Sequence, residues 1–536
     1  MDTDVLIVGA GPTGLMLANQ LVRRGVRAII VDWHSGPAQQ SRAVAVQART
    51  LEIYSKLGIV ERALELGKRG TGANMWAEGR WMARIPLGEI GASVSPFPYV
   101  LILGQDDNER IMGEHLRKLG ADVQWNTELL SFEQSPSHVT ATLKQPDGAT
   151  REVTAAYMAG CDGARSAVRE RSGITFPGAP YEQVFFVADT VATGPMRPEE
   201  VNVYLWRDGF HLLFPMRGTD HWRIVGILPS YLRQKAGLTF EEVIPAIRQE
   251  AGAALSFSNC NWFSTYRSHH RCAERFRDRR CFLLGDAAHI HSPAGGQGMN
   301  TGLQDAYNLA WKLALVISGK AVPALLDTYE EERIPVAQRL LRTTDRAFNL
   351  LVSDRWLAGL FRTRILARVA AFAMKFKRVQ TLAFRTISQT GIRYRASRLS
   401  KTLGVLPDGA PHAGDRFPWL QLKLRKNGPV EDLFKKFDDT RYNLIVIGQP
   451  AASANVPVAG DFLCTHVIPD EAYNAQQLAL VQIKGPAFYL LRPDGHVGLA
   501  GINLEPSAVT HYLSEHGIFV PASQDSLSPI QAVTGS

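Results

Sequence analysis

Cysteine is scarce in this 536-residue chain: Cys161, Cys260, Cys272, Cys281 and Cys464 include no CxxC pair and no metal-like spacing. So sparse and odd-numbered a set excludes a disulfide framework and fits a reducing compartment. Long apolar runs are missing too. No stretch approaches the roughly 18 residues that a membrane-spanning helix needs. The opening, MDTDVLIVGAG, has no basic leader region and runs straight into a motif, so no secretory signal is expected and the cytoplasm is the expected location. There is no internal repeat, no low-complexity tract and no signature of an RNA- or DNA-binding module. With 45% hydrophobic and 21% charged residues, disorder is excluded as well. The net charge of +8 admits nucleic acid, an anionic membrane or an anionic cofactor as partner. The plainest of these readings is a basic enzyme with an anionic cofactor and no nucleic acid. At roughly 100–200 residues per domain, the length implies two to four domains.

What is present begins with a strand at residues 4–8, a glycine turn, a helix at 15–24 and a second strand at 27–31 closed by Asp32. This is a βαβ opening, whose parallel strands need a crossover of that length. In Gly9-x-Gly11-x-x-Gly14, the first glycine permits the tight turn, the second admits a pyrophosphate and the third lets helix and strand pack closely. Asp32 stands where an acid accepts from ribose hydroxyls. By itself this motif does not separate NAD from FAD.

A second motif, CDGARSAVR at 161–169, follows the apolar AAYMAG and reads equally as arginines presented to phosphate or as an ordinary turn and helix cap with solvated arginines. A third, GDAAHIHSPAGGQGMN at 285–300, follows a short apolar strand and leads into a helix. Its glycines leave room for a flat ring, and N–H groups near Gly298 to Asn300 favour an anion there. His289 and His291 invite a zinc reading, but no third ligand has matching spacing and no metal is expected. A helix pattern also occupies 105–120. Residues 182–228 alternate as antiparallel strands, with a hairpin turn at Asp208-Gly209. Helices dominate from 300 to about 401, PDGAPHAG at 407–414 is a linker, and the remainder is a separate α/β unit.

The three motifs, in this order, resemble the fingerprints of the FAD-dependent aromatic hydroxylases, the group A flavoprotein monooxygenases. SRAVAVQARTLEIY (41–54) and HHRCAERFRD (269–278) match as well. The C-terminal part, with FYLLRPDGHVGLAG, resembles the thioredoxin-like tail of the phenol hydroxylase branch, although a redox role there is not expected without a CxxC. The resemblance implies an α/β fold. A Rossmann-like FAD-binding domain (1–180 and 271–402) carries an inserted antiparallel β-sheet substrate domain (181–270), and a thioredoxin-like domain follows (403–536). It implies cofactor contacts from Gly9, Gly11, Thr13 and Gly14, and Asp32 on the adenosine ribose. Arg42 and Gln105 would lie at the pyrophosphate and ribityl region, and Leu129 near the adenine. Asp162 and Arg165 belong to the motif linked with FAD and transient NAD(P)H binding. Asp286 would take the ribityl chain, Pro293 would lie beside the isoalloxazine, and Gly298, Met299 and Asn300 would hold its pyrimidine edge.

The chemistry so implied is hydroxylation of a phenol-like aromatic substrate, with NADH or NADPH reducing FAD and O2 forming a flavin C4a-hydroperoxide. Ionising a phenol of pKa about 10 at pH 7 costs roughly 4 kcal/mol, which a polar partner in the pocket would offset. Tyr204 and His211, on neighbouring strands of the hairpin, are the catalytic candidates, with an ordinary place in the sheet as the alternative. Two further readings stay open: a flavoprotein monooxygenase of a polycyclic antibiotic, quinolone or quinone-like compound, and a non-catalytic FAD-fold protein with a basic face for membrane or nucleic acid. Residues 350–401 carry twelve basic residues among apolar ones. A surface helix packed on the cofactor domain is preferred there over membrane contact. A homodimer is compatible with the resemblance.

Overall fold

The computed structural model describes residues 1–39, 43–207, 209–235, 237–252, 254–292, 296–352, 369, 372–458 and 460–519. Two compact units emerge: residues 1–310 with 333–391, and residues 311–332 with 392 onward.

The first unit is built on a mainly parallel sheet in the order Arg277–Asp278, Cys281–Leu283, Thr150–Gly160, Thr3–Val8, Ala28–Val31, Val123–Gln124. Strand Thr3–Val8 reads DVLIV because it is covered on both faces, and its residues from Val5 to Ile7 have no exposed surface. Register matters more than order here. Val8 stands opposite Val31 on one side and Gly160 on the other, and Gly160 stands opposite Leu283. Four parallel strands therefore end on one level. The residues that follow them, Asp32, Gly9, Cys161 and Leu284, open the three motifs and the acid read from the sequence.

A second, eight-stranded sheet in this unit has the order His289–Ile290, Ser256–Cys272, Gly178–Thr193, His221–Ile227, Gly209–Pro215, Val201–Trp206, Ala73–Ala77, Arg80–Ile85. It is wider than the expected insert at 181–270, because Ala73–Ala77 joins it in parallel beside Val201–Trp206. The expected hairpin is present, paired as far as Trp206 opposite Gly209; Asp208 lies outside the described residues. Helix Phe240–Ala251, whose start is fixed by a capping box between Thr239 and Glu242, belongs to one face of this sheet.

The second unit holds a five-stranded sheet in the order Lys401–Leu403, Val497–Gly501, Ala487–Leu491, Tyr442–Ile447, Leu463–Ile468. Tyr442–Ile447 pairs in parallel with Leu463–Ile468 and antiparallel with Ala487–Leu491. Its core, with Trp311, Leu325, Tyr442, Phe488 and Tyr512, encloses charge. Glu332 accepts from Lys312 Nζ at 2.9 Å and from Arg492 Nη1 at 2.5 Å, and Arg492 also holds Asp494. The Glu332, Lys312 and Arg492 side chains have no exposed surface. Residues 311–332 thus belong with the C-terminal residues and not with the 271–402 segment in which the sequence pattern placed them. Nothing in the helical periodicity of that stretch marks the change.

Candidate cofactor and substrate site

The glycine turn divides its glycines between two tasks. Gly9 has φ +101°, and a Cβ there would lie 2.4 Å from the Cys161 carbonyl oxygen. A Cβ on Gly14 would meet the Gly9 carbonyl. A Cβ on Gly11 would meet nothing within 4 Å. Two glycines therefore serve the packing of strand against helix. The third faces a cavity of about 1590 Å³, also lined by Asp32, Gln105, Leu129, Asp162 and Arg165. Helix Pro12–Val22 begins at Gly11 with no side chain capping it, so the first-turn N–H groups are available to an anion.

Asp32 is held where an acid of this motif must stand. Its Oδ2 accepts from the Ala10 N–H at 2.7 Å, and its Oδ1 accepts from the His34 N–H at 2.9 Å and from the His34 ring at 2.7 Å. Gln105 opens helix Gln105–Lys118 and donates to Glu109 at 2.8 Å. Asp162 takes the Val168 N–H on Oδ2 at 3.1 Å, while its buried Oδ1 has no protein partner among the described residues. Burial raises this carboxyl above its ordinary value. An unsatisfied buried acceptor beside this cavity suits a ligand that donates hydroxyls. Of the two arginines in this motif, only Arg165 faces the cavity. Arg169 is buried and donates to the carbonyls of Ala287 and Ala164, both at 3.0 Å, tying the second motif to the third.

A second cavity, of about 650 Å³, shares Gly11, Gln105, Cys161, Gly163 and Ala164 with the first. One long ligand can therefore run through both. Its far end meets the third motif. Thr13, Asp286, Gly298 and Met299 line it, with Gly285 at φ +60° close against the Thr13 hydroxyl. Asp286 is exposed, and what it is exposed to is this cavity; the protein packed round it raises its carboxyl. Asn300 has a second task besides the backbone N–H expected for the ring. Its side chain accepts from the Gln47 N–H and Thr50 hydroxyl and donates to the carbonyls of Ala45 and Gly296, four bonds of 2.8–3.0 Å. It clamps the loop, and only its backbone remains for a ring. Arg42 and Pro293 lie outside the described residues.

The two histidines of this motif have separate employments. His289 donates from Nε2 to Asp305 at 2.8 Å, and the same carboxylate takes the Gly285 N–H at 3.0 Å and Arg333 Nε at 2.6 Å. Asp305 and Arg333 carry no sequence signal: Asp305 reads as an ordinary charge on helix Gly298–Ile317, and Arg333 lies on the separate helix Thr328–Val352. His291 donates from Nδ1 to the Ser292 carbonyl at 2.7 Å, and burial pushes its pKa down to about 4. Among the described residues no group of three or more His, Cys, Asp and Glu side chains is placed to hold a metal. Because His291 stays neutral in the fold while the unfolded chain takes up a proton near pH 6.5, stability should fall as pH drops from about 6.5 towards 4. The His291→Gln protein should lose less Tm across that window; an identical Tm–pH curve would contradict the assignment.

Tyr204 and His211 are not on the cavity. They stand opposite each other in the hairpin, both buried, on the sheet face that meets helix Phe240–Ala251. Tyr204 stacks on Trp76 at 5.5 Å, and His211 Nε2 bonds Glu250 at 2.8 Å. The reason is the two-residue period of a strand. With His211 turned to the helix, Leu212 and Phe214 face the cavity, joined by Val225, Trp262, Ser264 and Tyr266 from neighbouring strands. Both faces of this hairpin are buried or half-buried, so alternation alone gives no sign of which one the ligand meets. His211→Ala should therefore lower Tm and leave the ratio of H2O2 released to product formed unchanged; a raised ratio would return His211 to the site.

Residues 2–344 match the family model described as "FAD binding domain". The chain is 33% identical over 516 residues to 6-methylpretetramide 4-monooxygenase of Streptomyces rimosus, covering 93% of this chain and 90% of that one. It is 32% identical over 463 residues to pentachlorophenol 4-monooxygenase of Sphingobium chlorophenolicum, covering 85% and 82%. The solved anhydrotetracycline hydroxylase of Streptomyces rimosus superposes with a TM-score of 0.74 at 30% identity, over 97% of this chain and 100% of that one. With glycine turn, acid and third motif converging on one long cavity, and with relatives alike over nearly the whole length, the chain belongs to the FAD-dependent aromatic hydroxylases, a family of flavoprotein monooxygenases.

Proposed function

We propose that the protein uses NADH or NADPH and O2 to hydroxylate an aromatic substrate bearing an ionisable hydroxyl, held between the third motif and the wide antiparallel sheet. The observation that carries this reading is the continuity of the two cavities. The same space that meets Asp286, Gly298 and Met299 is walled on its other side by Leu212, Phe214, Val225 and Trp262. FAD, when bound, supplies the redox chemistry and the oxygen transfer. The chain's own part is to orient the ring, exclude water and hold charge. The apolar wall does the first two. Ser264 and Tyr266 offer hydroxyls to the substrate, in place of Tyr204 and His211. Gly298 and its neighbours offer the N–H groups of a 20-residue helix to negative charge on the flavin.

The polycyclic reading gains weight from 6-methylpretetramide 4-monooxygenase, a relative that matches over most of both chains. It predicts a substrate broader than one ring. The strand order of the second unit, a parallel pair followed by an antiparallel hairpin and helix Pro506–Glu515, supports a thioredoxin-like domain with a structural role.

Purified protein should carry FAD and oxidise NAD(P)H faster when a phenol or polycyclic effector is added, with one oxygen atom from labelled O2 in the product. A flavin-loaded protein that no aromatic compound stimulates would overturn the reading.

A further inference from the structure

We propose that the segment around helix Lys377–Ile387 docks on an anionic lipid surface. Val369, Phe372, Phe376, Val379 and Leu382 are 51, 60, 54, 37 and 68% exposed. They are five of the fifteen large hydrophobic side chains that stand exposed among the described residues, gathered into fourteen positions. Scattered exposed apolar residues are ordinary; a cluster calls for a partner. Phe372 and Phe376 touch edge to face at 5.6 Å.

The helix is not adrift. Its opposite side is anchored: Phe384 is 2% exposed and packs in the cluster with Leu87 and Ile90, and the Thr386 carbonyl accepts from Gln297 at 3.1 Å. One face therefore meets the cofactor-binding unit, as read from the sequence, while the outward face sets Val379 and Leu382 among Lys377, Arg378 and Arg385, with Phe372 and Phe376 just before the helix.

Charge selects the occupant. Between Asp354 and Asp408 the sequence contains no acidic residue and twelve basic ones. Lys375, Lys377 and Arg378, interleaved with the exposed apolar side chains, make no ion pair among the described residues. Lys375 lies over the Phe372 ring at 5.8 Å. Aromatic and aliphatic side chains flanked by cations on one outward face are the arrangement that inserts at the headgroup level of an anionic bilayer. A protein partner of ordinary composition would not require so long a stretch without an acid. No helix among the described residues is long and apolar enough to cross a membrane, so the contact is peripheral.

The test is co-sedimentation of the full-length flavoprotein with phosphatidylcholine vesicles and with vesicles containing phosphatidylglycerol. Binding should appear with phosphatidylglycerol at low salt and weaken as salt rises. The Lys375→Glu/Lys377→Glu/Arg378→Glu protein should partition about a hundredfold less. Phe372→Ser/Leu382→Ser should also bind less while keeping wild-type flavin content and Tm, which shows that the loss is local. Wild-type protein left in the supernatant with phosphatidylglycerol vesicles would overturn the proposal. So would equal binding to both vesicle types, variants that sediment like wild type, or a vesicle-free self-association that the serine variant abolishes, since that would make a second copy of the chain the occupant. None of these readouts depends on the hydroxylation assignment.

Discussion

Gly14→Ala should yield a protein that holds no FAD and melts well below wild type. The added methyl would stand 1.9 Å from the Gly9 carbonyl oxygen, and backbone on that side is itself pinned by the Gly9 N–H bond to Val31 at 2.8 Å. Neither helix Pro12–Val22 nor strand Thr3–Val8 can retreat without opening the fully buried contacts of Leu6, Met16 and Leu17. Overpacking of this kind costs about 1–3 kcal/mol and occasionally more. Gly11→Ala is the informative partner. Its methyl would meet no protein atom within 4 Å, and its φ of −68° suits alanine. That protein should keep its apo-state Tm and lose FAD affinity alone, because the space it fills is the ligand's. Measured flavin content and differential scanning of the apo-proteins separate the two. If Gly11→Ala retained wild-type FAD affinity, the turn would not be the pyrophosphate cradle.

Glu332→Ala should cost about 3–5 kcal/mol, the usual result of removing one partner from a buried ion pair. The carboxylate sits between Lys312 and Arg492 with no exposed surface on any of the three. Burial lowers Lys312 to about 8 even with Glu332 holding it up, so the alanine would push it lower still and leave the lysine and the Arg492 guanidinium without their shared counter-charge in a dry core. Ser397, which donates to Glu332 at 2.7 Å, would lose its acceptor as well. Arg492 and Lys312 hold the Glu332 carboxyl below its ordinary value, against burial and the neighbouring Asp494, which both push it up. Its contribution is therefore present above about pH 4.5 and is lost as pH falls through the lowered folded-state value. Urea unfolding of wild type and variant at pH 7 checks the magnitude. A loss under 1 kcal/mol would mean that the network relaxes or hydrates when broken.

The three motifs were legible because each depends on backbone geometry that few residue types permit. Gly9 at φ +101° and Gly285 at φ +60° are positions that a side chain would strain. An acid at a strand end and a helix start at Gly298 likewise declare themselves in one dimension. The faces of strands did not. Alternation predicts that His211 and Leu212 point oppositely, but in a sheet covered on both sides nothing in the alternation says which face holds the ligand. The side chains that brace the site stayed hidden for a related reason. Asp305 and Arg333 look like ordinary helix charges until folding brings them to His289 and Gly285, and the four bonds by which the Asn300 side chain clamps the loop are equally silent in the sequence.

By itself, then, the sequence determined that this chain builds a βαβ dinucleotide site and carries the glycine-rich loop of an aromatic hydroxylase, because turn geometry and strand–helix junctions are local and restrict residue type. The tertiary structure alone decided that Val31, Val8, Gly160 and Leu283 end on one level, so that motifs more than a hundred residues apart share one cavity. It also decided that Leu212 and Phe214 rather than Tyr204 and His211 face that cavity. Register and facing are set by long-range packing, which no local pattern encodes.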